Sequence, residues 1–204
     1  MGSNTTGAYN VAIGDGALSS NTTASQNTSV GKHALFANTT GTKNTAVGSL
    51  SLDANTTANH NVAVGDGAAK SNTTGTQNVA VGFETLLTGT TFQKNTAVGH
   101  QALTLSTGSY NTAIGWGAMA AATSAVDSTA LGIGAGDAIT TGSYNVCLGS
   151  HAGGAITTGG SNVCVGTEAG DSILTGSQNV CIGRYSDPDA NTRDTVVVLG
   201  YNLS

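Results

Sequence analysis

The sequence predicts an all-β fold, a β-solenoid of twelve turns of about 17 residues each, and three observations carry that expectation. A variant of Asn-(Val/Thr)-Ala-(Val/Ile)-Gly recurs along the chain, closing on Gly14, Gly31, Gly48, Gly65, Gly82, Gly99, Gly115, Gly132, Gly149, Gly166, Gly183 and Gly200. The step is 17 residues except for one of 16, from Gly99 to Gly115, and a period held this tightly means one unit stacked on itself. The residue before each glycine is aliphatic, from Ile13 and Val30 to Ile182 and Leu199. Two positions earlier every residue is Val or Thr, from Val11 and Thr28 to Val180 and Val197. Such residues favour strands, and a spacing of two puts both columns on one face.

Each part of the unit then has a role. Between the two columns runs a third of small residues, including Ala12, Ser29, Ala46, Cys147, Cys164 and Cys181. A strand apolar on both faces needs one partner inside its own coil and another outside it. The expected form is a narrow β-roll packed lengthwise against other copies. The glycine permits a sharp turn at positive φ. Pairs such as Ala17-Leu18, Ala34-Leu35, Ala102-Leu103 and Ala118-Met119 supply the returning wall, and Asn-Thr-Thr-Gly loops such as Asn38 to Gly41 close the turn. Up to Met119 a large residue usually follows the small Ala of the return wall. Gly136, Gly153 and Gly170 then take its place, and Ile139, Ile156 and Ile173 arise three residues on. This reads as constant core volume with a shifted filling point.

Residues 1–3 break the repeat and read as an expression remnant or cut edge, residues 4–183 as the repeat shaft, and residues 184–204 as a last irregular turn or cap leading to a missing domain. That last stretch holds Pro188 and five charged residues, Arg184, Asp187, Asp189, Arg193 and Asp194, and a polar final turn protects the open edge of a stack. Only 8% of residues are charged, against about a quarter in ordinary domains. With a net charge of -5 and six scattered Lys and Arg, there is no basic stripe for nucleic acid or anionic lipid. No apolar run approaches the roughly 20 residues of a membrane span, so no membrane insertion is expected.

Candidate chemistry is sparse. Cys147, Cys164 and Cys181 share one column of successive turns and replace Ala and Ser, so they read as packed structural thiols, with a disulfide or metal ladder as the alternative. His33, His60, His100 and His151 lack a second ligand at a metal spacing. Asp15, Asp66, Glu84, Asp137 and Glu168 read as solvated loop charges. With no Ser-His-Asp order, paired carboxylates or phosphate-cradling motif, no enzyme, metal or cofactor is expected. The residue after each glycine varies most, and there Phe83, His100 and Trp116 form an aromatic line, the candidate ligand contact; filling of grooves between chains is the alternative for Phe83 and Trp116. Asn21, Asn38 and Asn55 stand in glycosylation sequons, which arise by chance in Asn/Thr loops.

Segments Asn10 to Gly14, Asn61 to Gly65 and Asn111 to Gly115 resemble the head repeats of trimeric autotransporter adhesins. The longer Asn72 to Gly82 is similar to the shafts of phage and large-virus tail-fibre proteins that carry a C-terminal self-cleaving chaperone. The resemblance covers nearly the whole chain and implies a parallel homotrimer of left-handed β-rolls, displayed on a virion or cell surface to touch a host. The 17-residue period is longer than in the adhesin heads, and neither a chaperone domain nor a membrane anchor is recognisable in the sequence. The expected function is therefore an extracellular structural shaft or adhesive stalk, a trimeric spacer whose partners are its own copies and a host-surface glycan or receptor. Two alternatives stand beside it. Thr5, Thr22, Thr39, Thr56 and Thr73 recur at the repeat period and suggest an ice- or crystal-binding array, although the Asn-Thr-Thr run fades after Thr74; a polysaccharide-active solenoid would need an acidic cluster that the sequence lacks.

Overall fold

The computed structural model describes residues 2–201. Met1 and residues 202–204 lie outside them, and with those residues part of the expectations for the two chain ends. The described chain is an all-β solenoid with one three-residue strand per repeat. These are β1 (Val11–Ile13), β2 (Thr28–Val30), β3 (Thr45–Val47), β4 (Val62–Val64), β5 (Val79–Val81), β6 (Thr96–Val98), β7 (Thr112–Ile114), β8 (Thr129–Leu131), β9 (Val146–Leu148), β10 (Val163–Val165), β11 (Val180–Ile182) and β12 (Val197–Leu199). No helix among the described residues is long and apolar enough to cross a membrane.

The chain forms two compact units, one ending at Gln101 and one beginning at Ala102. The boundary falls inside the 16-residue step. The first unit holds β1 to β6, each parallel to the next and in register, as in Val11 opposite Thr28 and Ile13 opposite Val30. The second holds β7 to β12 in the same arrangement. The repeat dictates this register, because a 17-residue turn returns each column to the same place.

In the first unit the small strand column points inward: Ser29, Ala46, Ala63, Ala80 and Ala97 are fully buried, together with Leu18, Leu35, Leu52 and Leu86 of the return wall. The turn out of each strand is made by glycine at φ between 124° and 134°, a region closed to residues with a Cβ. Three further positions per turn are left-handed, nearly all with ordinary side chains. They are the residue before the strand-entry Asn, such as Gln26 (φ 62°), the second residue after the turn glycine, such as His33 (φ 56°), and the buried Leu, such as Leu35 (φ 49°). Each costs about 1–2 kcal/mol and persists because neighbouring turns fix it. The N–H of Gln26 donates to Ala8 O (3.0 Å), that of His33 to Asp15 O (2.8 Å) and that of Leu35 to Ser51 O (3.0 Å).

The strand-entry Asn, the first residue of the motif, forms a buried ladder. In Asn44, Asn61 and Asn78 the side-chain oxygen accepts the backbone N–H of the equivalent residue one turn on, at 2.9–3.0 Å. The same side chains donate Nδ2 to Ala58 O, Gly75 O and Phe92 O, at 2.8–3.0 Å. A second ladder joins the loop asparagines: Asn21 donates to Asn4 Oδ1 (2.9 Å), Asn38 to Asn21 Oδ1 (3.2 Å) and Asn55 to Asn38 Oδ1 (2.8 Å). Amide side chains are well suited to this, having donor and acceptor at one end. The loops that read as polar closures are therefore part of the interior.

The second unit repeats the strand-entry ladder through Asn111, Ser128, Asn145, Asn162 and Asn179, but changes its core. Met119 is the last large residue of the return wall, and Gly136, Gly153 and Gly170 follow at φ 58–68°. Ile139, Ile156 and Ile173, fully buried, occupy the column that holds Asn21, Asn38 and Asn55 in the first unit. A Cβ built on Gly153 would lie 2.7 Å from Cys147 Sγ and 2.9 Å from Ile156 Cδ1. The Ile and Cys side chains thus fill the volume that a Leu fills elsewhere, and glycine relieves the left-handed strain there. Near the end, Asp187 Oδ1 accepts Ser172 N–H (3.0 Å), Asp194 Oδ1 accepts Ser177 N–H (2.6 Å), and Arg193 pairs with Asp189 at 2.7 Å.

Candidate functional site

With the small column turned inward, the other two columns of the strands face outward. One column is aliphatic and the other mixes Val with Thr; they range from half-buried to exposed along each unit, with Leu131 50% exposed, and are most open in β1 and β12, where Ile13 is 61% and Leu199 60% exposed. None of the twelve strands contains a charged residue. An uncharged, largely apolar face of this kind, repeated from strand to strand within each unit, is characteristic of an interaction surface.

The candidate aromatic line divides between the units. In the first, Phe83 and His100 are exposed and stack at 5.1 Å between ring centroids, with planes 27° apart. Trp116, in the second unit, is 58% exposed. A further pair that sequence reasoning missed, His33 and Phe36, stacks at 4.6 Å. Their spacing of three residues carries no recognisable signal in a coil whose described residues form no helix.

Cys147, Cys164 and Cys181 are free and fully buried on β9, β10 and β11, opposite one another in register. Hydrogen bonding with Cys147 holds the Cys164 thiol far above the ordinary range, and hydrogen bonding with Cys164, with burial, does the same for Cys181. The folded state keeps both protonated while the unfolded chain ionises near pH 9.0. Their contribution is therefore intact below that pH and lost as pH rises through it. We expect unfolding free energy in reducing buffer to fall as pH rises above 9.0, measured by urea titration at pH 8 to 10.5. A chain with all three cysteines changed to Ala should show a flatter profile.

His60, His100 and His151 are exposed and His33 is half-buried. Among the described residues no three His, Cys, Asp or Glu side chains are grouped as a metal site requires. Asp15 and Asp66 are exposed, whereas Glu84, Asp137 and Glu168 are half-buried, and Glu84 Oε2 accepts Gln101 Nε2 at 2.9 Å. Partial burial, with Asp187 and Glu168 nearby, raises the Asp171 carboxyl above its usual range.

Two loop readings change. Thr5, Thr22, Thr39, Thr56 and Thr73 donate their hydroxyls to the carbonyl oxygen one turn on, at 2.9–3.2 Å. That ladder does not fade after Thr74: in the second unit Thr107, Thr123, Thr140 and Thr157 continue it. These hydroxyls hold turns together and are already committed as donors. The sequon residues Asn21, Asn38 and Asn55 are completely buried, so the folded chain offers no amide nitrogen there for glycosylation.

Compared with known proteins, the chain matches no family model and no curated protein.

Proposed function

We propose that the chain is the structural shaft or adhesive stalk of a virion fibre or surface adhesin, a spacer in which three parallel copies of a left-handed coil associate through their outward strand faces. The observation that carries this reading is the uncharged strand face of Val, Ile, Leu and Thr, which the coil itself leaves partly open. A second copy of the same chain carries the same columns at the same step, about 4.8 Å per turn, so copies match along each unit. Ladders of backbone, Asn and Thr hydrogen bonds would make such a spacer stiff and resistant to local opening. The similarity of Asn10 to Gly14 and Asn72 to Gly82 to adhesin and tail-fibre repeats supports the same reading. The exposed aromatic residues Phe83, His100 and Trp116 are the proposed points of contact with a host glycan or receptor.

The test is to place charge on the face. The combined variant Val47→Lys, Val64→Lys and Val81→Lys should keep the circular dichroism of the coil and sediment as single chains, because buried like charges in each interface cost several kcal/mol. Association as strong as that of the unmodified chain would refute the proposed interface.

A further inference from the structure

We propose that the exposed left-handed column of the first unit, Tyr9, Gln26, Lys43, His60, Gln77 and Lys94, is a contact line for an extended polysaccharide. All six have φ between 54° and 62°, and all are exposed. Glycine and asparagine adopt this conformation at least cost, and the chain is rich in both, with 30 glycines. Neither occurs at any of the six.

The other left-handed columns show what is unusual here. Gly16 and Gly67 stand among the residues two after the turn glycine, where the side chain is dispensable. Leu18, Leu35, Leu52 and Leu86 are left-handed and fill the core. The exposed column has no core to fill; neighbouring turns hold its strain in both units, where Tyr110, Asp127, Tyr144, Ser161, Gln178 and Thr195 continue it, and in the first unit it presents the side chains we assign to the ligand.

These side chains are held in line. The N–H groups of Gln26, Lys43, His60, Gln77 and Lys94 donate to Ala8 O, Ser25 O, Thr42 O, Asn59 O and Thr76 O, at 3.0–3.2 Å. One side chain is therefore presented per turn, about every 4.8 Å, a step comparable to one sugar ring in an extended chain. Every one ends in an amide, ammonium, imidazole or phenol, groups that hydrogen-bond hydroxyls and carboxylates, and the Tyr9 ring can stack on a sugar face. The exposed hydroxyl residues Thr23, Thr40, Thr57 and Thr74 lie three positions earlier in the same loops. A partner that repeats along one axis and offers hydroxyls at each step is a polysaccharide, neutral or acidic.

The inference does not depend on association through the strand face, and one experiment separates the two. The full chain and its variant Gln26→Asn, Lys43→Asn, His60→Asn, Gln77→Asn are tested for retention on immobilised xylan and alginate, with mass and urea midpoint measured on the same samples. We expect retention of the unmodified chain on at least one polymer, a loss of at least tenfold in the variant, unchanged mass, and a urea midpoint equal or higher because Asn relieves the strain. Retention on xylan assigns hydroxyl recognition, and retention on alginate alone assigns the carboxylates to Lys43, His60 and Lys94. No retention of the unmodified chain on either polymer, equal retention of the variant, or a lower urea midpoint in the variant would each overturn the proposal.

Discussion

Gly31→Ala should lower unfolding free energy by about 2–6 kcal/mol, a large share of the about 5–15 kcal/mol of a typical domain. Two costs add. Gly31 has φ 133°, a region in which a residue with a Cβ costs about 1–3 kcal/mol. The added methyl would also lie 2.5 Å from Gly48 O and 2.6 Å from Gly48 C of the next turn, and backbone held by its own ladder cannot yield cheaply. Overpacking of that kind costs about 1–3 kcal/mol. Gly117→Ala is the internal control: φ is 65° and nothing lies within 4 Å of the new methyl, so the loss should be about 1–2 kcal/mol. Urea midpoints at constant slope give both values. Equal losses would mean that the close stacking of turn glycines does not limit the fold.

Asn78→Ala should cost about 2–6 kcal/mol, for a reason unrelated to shape. Asn78 Oδ1 accepts the N–H of Asn95, and its Nδ2 donates to Phe92 O, each at 3.0 Å. Removing the amide leaves a donor and an acceptor buried, at about 1–3 kcal/mol each. The chain contains its own graded comparison. Ser128 stands in the same column of the second unit, where its Oγ accepts the N–H of Asn145 at 3.1 Å. Asn78→Ser should therefore recover the acceptor and lose the two Nδ2 bonds, to Phe92 O and to Asn61 Oδ1, of which only the first leaves a group unpaired because Asn61 Oδ1 keeps the Asn78 N–H, giving about half the cost of Ala. A Ser variant as destabilised as Ala would show that the bond to the next turn's N–H contributes little.

The sequence makes most of the architecture legible, because a β-solenoid writes its geometry as a period. Val/Thr and aliphatic columns around a small residue mark the strands, and Gly31 and its equivalents mark the turn. The exchange of Leu35-type residues for Gly153 with Ile156 is visible as a shift in volume, but its second cause, the left-handed backbone, is not. Asn78 and Asn38 lie in polar motifs that resemble solvated loops, since hydrophobic periodicity ignores a residue buried for its hydrogen bonds. A polar residue held at a fixed place in nearly every turn was the available signal. Gln26, Lys43 and Tyr9 carry no turn signal at all, because the neighbouring turns impose their conformation. The division at Gln101 was marked only by the 16-residue step.

Sedimentation equilibrium of the unmodified chain tests the central claim most directly. The account predicts a single species of three times the 19.9 kDa chain mass, unchanged on dilution through the micromolar range. A stable, well-folded species of 19.9 kDa would contradict it, because the largely apolar strand faces would then persist in water without a partner.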